Sequence, residues 1–235
     1  MLSHIGKSTV AIGAFAAIVL GGTWISYPRA LQAQPTSSNG VTESSLIKIG
    51  FNIAPVKLNL VGKNHALVGL GSFLVNAAVG CNHCHSAGPS DEWASNPYFG
   101  KPAQINPDTY LGGGNDFGQI GPPKHPFDQG PNIISRNLTP DKTGLPAGGL
   151  TLAQFQQIMR TGTDFDHLHP TCGASGPDGI CLSPPFDGDL LQIMPWPYFK
   201  DMPDRYISAI YEYLSTVPCI PGPTNLPKDL QNVCS

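Results

Sequence analysis

Apolar residues recur at three- and four-residue spacing in three segments of this 235-residue chain, and each segment is predicted to form a helix. The first extends from about residue 65 to 79, the second begins at Thr151, and the third extends from Pro203 to Thr216. Thr151 and Gln154 have the spacing of a capping box, and Gly162 is suited to end the second helix. The apolar faces are formed by Leu67, Leu70, Leu74 and Ala78, by Leu152, Phe155, Ile158 and Met159, and by Ile207, Ile210, Tyr211 and Leu214.

The segments between these helices lack such periodicity. Residues 34–47 are polar and are predicted to form a leader, and residues 51–61 alternate around Pro55 like an extended arm. Residues 86–130 and 163–190 are long and irregular, and such loops inside a domain usually serve the function. The chain contains 27 Gly and 24 Pro, so the expected fold is all-α with long Gly/Pro-rich insertions.

Residues 1–33 have the pattern of an export signal. Lys7 precedes an apolar run from Val10 to Ile25, and cleavage is expected after Ala33. An uncleaved membrane anchor over residues 8–26 is the alternative, because the apolar run approaches the length that spans a bilayer. Both interpretations place the rest of the chain outside the cytoplasm, in the periplasm or at the outer face of the inner membrane. The excess of 16 acidic over 13 basic residues, without a basic patch, argues against nucleic acid as a partner.

Six cysteines divide into two groups. Two belong to the pentapeptide Cys81-Asn82-His83-Cys84-His85, and the other four are expected to pair in an oxidising compartment. Four cysteines allow three connectivities, of which the local one, Cys172–Cys181 with Cys219–Cys234, closes two short loops. A metal site made of these four is the alternative, and it lacks the close cysteine pair typical of such sites.

The pentapeptide has the pattern that attaches c-type haem. Two thiols separated by two residues reach the haem vinyl groups from one helical turn, and the histidine that follows can bind the iron. The preceding helix, the export signal and the lack of a second Cys-x-x-Cys favour this interpretation over a redox dithiol or half of a zinc site. We therefore expect one covalently bound haem c, attached through Cys81 and Cys84, with His85 as an axial ligand.

A second axial ligand is expected downstream, and Met194 is the main candidate. It lies in the proline-rich segment 192–198, whose stiffness would hold a weak thioether ligand in place. Met159 is expected in the core because it lies on the apolar stripe of a helix, and Met202 is the second candidate. A histidine ligand or an open position remains possible in this scheme. The other histidines with a specific expectation are predicted to be solvent-exposed: His83, His167 and His169.

Several segments resemble the class I cytochrome c family, and most closely the exported mono-haem domains associated with dehydrogenases. The segments are VNAAVGCNHCH, GPNIISRNLTPDKTG, the capped helix ending in RTG, and MPWPYF followed by a helix ending in EYLSTVP. The resemblance covers about half of the chain after the signal. It implies a cytochrome c-like helical domain around one haem over residues 64–218, after a leader and arm at 34–63 and before a disulfide-stapled tail at 219–235.

The resemblance also implies roles for residues around the haem. The carbonyl of Pro131 would accept a hydrogen bond from His85 and orient its ring. Arg136 would neutralise a haem propionate, and Trp196 and Tyr198 would form an aromatic wall beside the methionine.

His/Met ligation implies reversible one-electron transfer rather than enzymatic catalysis. The expected partners are redox proteins: an exported dehydrogenase or quinol-oxidising complex as donor, and an oxidase or other cytochrome as acceptor. The chain could equally be the cytochrome subunit of a dehydrogenase complex. The alternative function is a haem enzyme or ligand sensor whose sixth coordination position is open or labile.

Overall fold

The three-dimensional structure is a computed structural model. It describes residues 40–88, 90–120, 131–169, 171, 181–182, 185–224 and 231–234. These residues belong to one unit that begins at Gly40. The predicted export signal and Cys172 lie outside the described residues. Within the described part of the chain, no helix combines the length and apolar character needed to cross a membrane.

The fold is mostly helical, with two small antiparallel sheets. The helices are α1 (Glu43–Ile53), α2 (His65–Phe73) continued by a π-helical turn (Leu74–Ala78), α3 (Cys81–His85), α4 (Pro146–Gly149), α5 (Leu152–Thr161), α6 (Trp196–Phe199) and α7 (Asp204–Leu214). One sheet pairs β1 (Trp93–Ser95) with β2 (Gln104–Ile105), and the other pairs β3 (Asp116–Gln119) with β4 (Asn132–Ile134). The expectation of an all-α fold is therefore wrong in this detail. Among the described residues, three of the four strands lie in the insertion at 86–130, for which no secondary structure was predicted.

The three predicted helices are confirmed as α2, α5 and α7. The capping box of α5 is present, with Thr151 and Gln154 bonded reciprocally, and Gly162 ends the helix with a φ of 72°. Phe155, Ile158 and Met159 are buried as expected, whereas Leu152 is exposed. These elements formed as the sequence predicted because their signals are local.

Helix α1 corrects the prediction of a leader and extended arm. Thr42 caps this helix, and its Oγ1 accepts a hydrogen bond from the backbone N–H of Ser45 at 3.2 Å. Pro55 stands just beyond the end of the helix, so it ends the element rather than lying at its centre. The chain is extended only after this point, where the N–H of Asn59 donates to the carbonyl of Thr216 at 2.8 Å.

Helix α2 packs between α1 and α7 at very short range. A Cβ placed on Gly71 would lie 1.9 Å from the carbonyl oxygen of Ala209 in α7, and one on Gly50 of α1 would lie 1.8 Å from that of Gly69. The buried Ser72 hydroxyl donates to the carbonyl of Gly50 at 2.7 Å. The helix backbones are therefore in direct contact, and the core fills the spaces on either side. Its fully buried side chains include Leu70, Val75, Ile207, Tyr213 and Leu214.

The C-terminal tail is fastened as predicted by the disulfide Cys219–Cys234, whose Cα atoms are 5.7 Å apart. The amide of Asn232 donates to the carbonyls of Thr139 and Pro140, both at 3.0 Å. The tail therefore holds the loop that follows β4. Cys181 is also disulfide-bonded, but the predicted pairing with Cys172 lies outside the described residues.

Replacing Gly71 by alanine should force α2 away from α7, because the new Cβ would overlap the Ala209 carbonyl. We expect the free energy of unfolding to fall by about 1–3 kcal/mol, the usual effect of overpacking. Urea unfolding of the intact protein measures this, with Gly40→Ala as the control, because that Cβ would meet nothing within 4 Å. Equal stabilities of the two variants would contradict the close helix contact.

Candidate functional site

The pentapeptide at 81–85 forms the single-turn helix α3. Gly80 adopts a left-handed φ of 70°, which ends the π-helical turn and redirects the chain into α3. The buried Asn82 side chain fixes this turn, since its Oδ1 accepts from the N–H of Leu111 at 2.8 Å. Cys81 and Cys84 are three residues apart on one turn and therefore lie on the same side of it, with His85 next in the chain.

A cavity of about 490 Å³ lies beside α3, between β4, α5 and the segment 190–195. Cys84 and His85 line it on one side, and Met194 also lines it. Most of the remaining wall is apolar and includes Ile133, Leu138, Phe155, Ile158 and Leu182. The volume and the mainly apolar lining are in the range typical of small-molecule and cofactor sites.

His85 is held in one tautomer by the backbone. Its Nδ1 donates to the carbonyl oxygen of Arg136 at 2.7 Å, and because a carbonyl can only accept, Nε2 keeps the free lone pair. Burial lowers the pKa of His85, while the bond to Arg136 acts in the opposite direction. The imidazole is thus kept in the neutral form that binds metal ions.

The acceptor of this hydrogen bond differs from the expected one. The resemblance assigned it to Pro131, and the structure assigns it to Arg136, five residues later. Pro131 immediately precedes β4 (Asn132–Ile134), which pairs with β3. This pairing determines which residue after β4 lies next to α3. Ser135 continues this pairing through hydrogen bonds with Asn115 and Gly114, so the next carbonyl is the one that meets His85.

Gly113 closes the contact between α3 and Arg136. Its N–H donates to the carbonyl of His85 at 2.8 Å, and its φ of 70° is left-handed. A Cβ at this position would come within 2.6 Å of the backbone between Arg136 and Asn137. His85 is therefore clamped between two loops that the sequence left without predicted structure.

The Arg136 side chain is bound by two carboxylates. Its guanidinium donates to Asp164 Oδ1 at 2.7 Å and to Asp166 Oδ2 at 2.6 Å. Arg136 and Asp164 both line the cavity. The positive charge that the resemblance assigned to a propionate is already balanced by these aspartates, which the sequence analysis did not single out.

Met194 reaches the cavity through a strained turn. Ile193 has a φ of 68°, and the Met194 N–H donates to the Gln192 carbonyl at 2.7 Å. A β-branched residue is rare in this conformation, which costs about 1–3 kcal/mol and is typical of functional sites. Met159 is buried in the core as predicted, and Met202 packs against the core without lining the cavity.

The predicted aromatic wall does not form. Tyr198 is 85% exposed, and neither it nor Trp196 lines the cavity. Trp196 instead packs against Gly162, and its Nε1 donates to the Leu191 carbonyl at 3.3 Å. Residues two positions apart in a helix point to roughly opposite sides, so Trp196 and Tyr198 do not share one face of α6. Phe155, on the apolar stripe of α5, supplies an aromatic wall, and that stripe was the signal for it.

The histidines divide between solvent and cavity. His83 is exposed as predicted, with its Nδ1 3.1 Å from Glu92 Oε2, and His167 is exposed beside Asp189. His169 differs from the prediction, because it lines the cavity and its Nδ1 is buried. The helical and strand patterns carry no information about this loop, so sequence reasoning placed all three in solvent.

The two cysteines of α3 are not in disulfides. Burial raises the pKa of the Cys81 thiol to about 12. Burial also raises the pKa of the Cys84 thiol, and the nearby Glu92 carboxylate adds to the effect. Catalytic dithiols usually have an exposed thiol with a lowered pKa, so both of these pKa directions are opposite to those of a redox dithiol.

Comparisons with protein-family models, with curated proteins and with solved structures found no match for this chain. Among the described residues, no group of three or more His, Cys, Asp or Glu side chains is arranged to hold a metal ion. The features of the chain that bear on its function are the pentapeptide, the cavity beside it and the contacts of His85.

Replacing Ile193 by asparagine should relieve the strain beside Met194, because asparagine tolerates a left-handed φ. Ile193 is 46% exposed, so little apolar burial is lost, and we expect the free energy of unfolding to rise by about 1 kcal/mol. Val61→Asn is the control, since Val61 is β-branched and 85% exposed but is not among the residues with positive φ. A gain of the same size in both variants, measured by urea unfolding, would disprove the strain at Ile193.

Proposed function

We propose that this chain binds one haem c through Cys81 and Cys84 and transfers electrons outside the cytoplasm. The observation that carries the proposal is the mainly apolar cavity beside α3, which is lined by Cys84, His85 and Met194. Cys84 and His85 of the pentapeptide line this cavity together with the distant Met194, while Cys81 lies on the same helical turn and packs against the core. In this proposal residues 64–218 form a cytochrome c-like domain.

The residues present fit a covalent haem in their chemistry. Two thiols on one helical turn suit two thioether bonds, and the neutral imidazole of His85 suits an iron ligand. The apolar side chains of the wall exclude water. When bound, the haem would supply a one-electron Fe(II)/Fe(III) couple, whose potential is higher with a methionine ligand than with two histidines.

The polar groups of the cavity favour electron transfer over catalysis. Arg136 and Asp164 are bound to each other, and the Nδ1 of His85 is bound to a backbone carbonyl. These groups hold the site in place and are not arranged as an acid–base pair. The chain then needs only to hold the cofactor in a fixed, dry environment and to meet a redox partner.

A haem enzyme or ligand sensor is the second candidate, and two observations favour it. Ile193 is strained beside Met194, so that ligand could be released at low cost. His169 lines the same cavity and could take its place or meet a small ligand.

The disulfide Cys219–Cys234 supports a location in an oxidising compartment such as the periplasm, with or without an N-terminal membrane anchor. The proposed partners are an exported dehydrogenase or quinol-oxidising complex and a downstream oxidase or cytochrome. The chain itself is proposed as a carrier or as the cytochrome subunit of such a complex.

Replacing both Cys81 and Cys84 by serine should abolish covalent attachment. After expression with a haem-attachment system, haem should remain with the wild-type chain under acidified acetone and should be extracted from the variant. The paired variant Cys219→Ser and Cys234→Ser is the control and should retain its haem. A wild-type chain that carries no haem in denaturing mass spectrometry would disprove the proposed function.

Met194→Ala should remove the weak near-infrared band of methionine-to-iron ligation from the oxidised protein, because Met194 lines the cavity. Met202→Ala should retain the band, because Met202 does not line the cavity. Rapid binding of carbon monoxide by the reduced wild-type protein would support the second candidate. Persistence of the band in Met194→Ala would show that another residue is the ligand.

A further inference from the structure

We propose that the ion pair between Arg136 and Asp164 is a positioning unit for His85, which sets the orientation and basicity of that ligand. This inference rests on the proposed function, since it concerns how the chain would hold an axial histidine. The two residues act through the backbone of residue 136 and not through contact with the reacting iron.

Arg136 holds His85 with its backbone carbonyl and is itself held by its side chain. The Arg136 carbonyl accepts from His85 Nδ1 at 2.7 Å, and the guanidinium of the same residue donates to Asp164 and Asp166 at 2.7 and 2.6 Å. The ion pairs therefore restrain the same residue whose carbonyl holds His85. Gly113 packs against the other side of this peptide and limits its movement.

Asp164, which accepts from the Arg136 guanidinium, is itself fixed by the backbone. The Asp164 N–H donates to the Asp189 carbonyl at 2.8 Å, and Asp164 Oδ1 accepts from the Asp166 N–H at 3.1 Å. The Asp164 side chain is only 5% exposed, against 55% for Asp166. A fixed, buried carboxylate defines the position of an arginine fork, whereas an exposed one is weakened by water and salt.

The firmness of the Arg136 carbonyl affects His85 as the proposed axial ligand. A histidine that donates its second N–H to a firmly held acceptor is a more basic ligand with a fixed ring orientation. Loss of the fork should loosen the Arg136 carbonyl, weaken its bond to His85 and make the imidazole a poorer electron donor. A poorer donor stabilises Fe(II) relative to Fe(III), so the reduction potential should rise.

Three variants of the haem-loaded protein separate positioning from charge. Arg136→Lys keeps the charge but cannot present the two-pronged fork to both carboxylates. Asp164→Asn removes the charge of the buried partner of Arg136, and Asp166→Asn is the matched control that removes the charge of the exposed partner. The measurements are the reduction potential and the haem-methyl ¹H shifts of the oxidised protein, which report the orientation of the axial imidazole, with thermal unfolding to monitor folding.

We expect Arg136→Lys to favour the reduced state by roughly tenfold, which is about 59 mV for a one-electron couple, and to change the haem-methyl pattern. Asp164→Asn should have a larger effect in the same direction, and Asp166→Asn a smaller one than either. Wild-type potential and methyl shifts in Arg136→Lys would overturn the inference even if haem is attached. Failure of attachment in the wild type would instead overturn the proposed function, so the two failures are distinguishable.

Discussion

The direct contact of the α2 backbone with α1 and α7 is the constraint on which the rest of this structure depends. Gly50 and Gly71 allow the three helices to meet without intervening side chains, and the buried side chains fill the space around that crossing. Because α2 leads through a π-helical turn and Gly80 into α3, its position also determines where the pentapeptide stands. The position of Cys84 and His85 in the cavity wall therefore depends on a helix contact made more than ten residues earlier, at Gly71.

The two sides of the candidate site are built differently. On the histidine side, Asn82, Gly113 and Arg136 hold α3 through hydrogen bonds and close packing. On the methionine side, Met194 depends on a turn with a strained Ile193, fastened where the Leu191 N–H donates to the Gly162 carbonyl at 2.7 Å. In the proposed haem site, this asymmetry would give one firmly held ligand, His85, and one less firmly held ligand, Met194.

Local signals explain how much of the fold could be predicted. The helices α2, α5 and α7, the capping box at Thr151 and the helix end at Gly162 depend on residues within a few positions of each other. Helix α1 was not predicted, although Leu46, Ile47 and Phe51 suit one helical face. The alternation of residues 51–61 around Pro55 is typical of an extended segment and predicted one there instead. The short strands in 86–130 could not be predicted, since three or four residues carry too little periodicity and depend on pairing with distant partners.

The residues of the candidate site divide in the same way, into those predicted from local sequence and those placed by distant contacts. The sequence by itself determined the spacing Cys81-x-x-Cys84-His85 and the core position of Met159, because residue type and spacing suffice for these, and it led to Met194 as the proposed second ligand. Only the tertiary structure decided that Arg136 rather than Pro131 holds His85, that Asp164 and Asp166 hold Arg136, that His169 lines the cavity and that Tyr198 faces solvent. The physical reason is that a hydrogen-bond partner across a cavity is set by strand register and loop path, which are sums of many distant contacts.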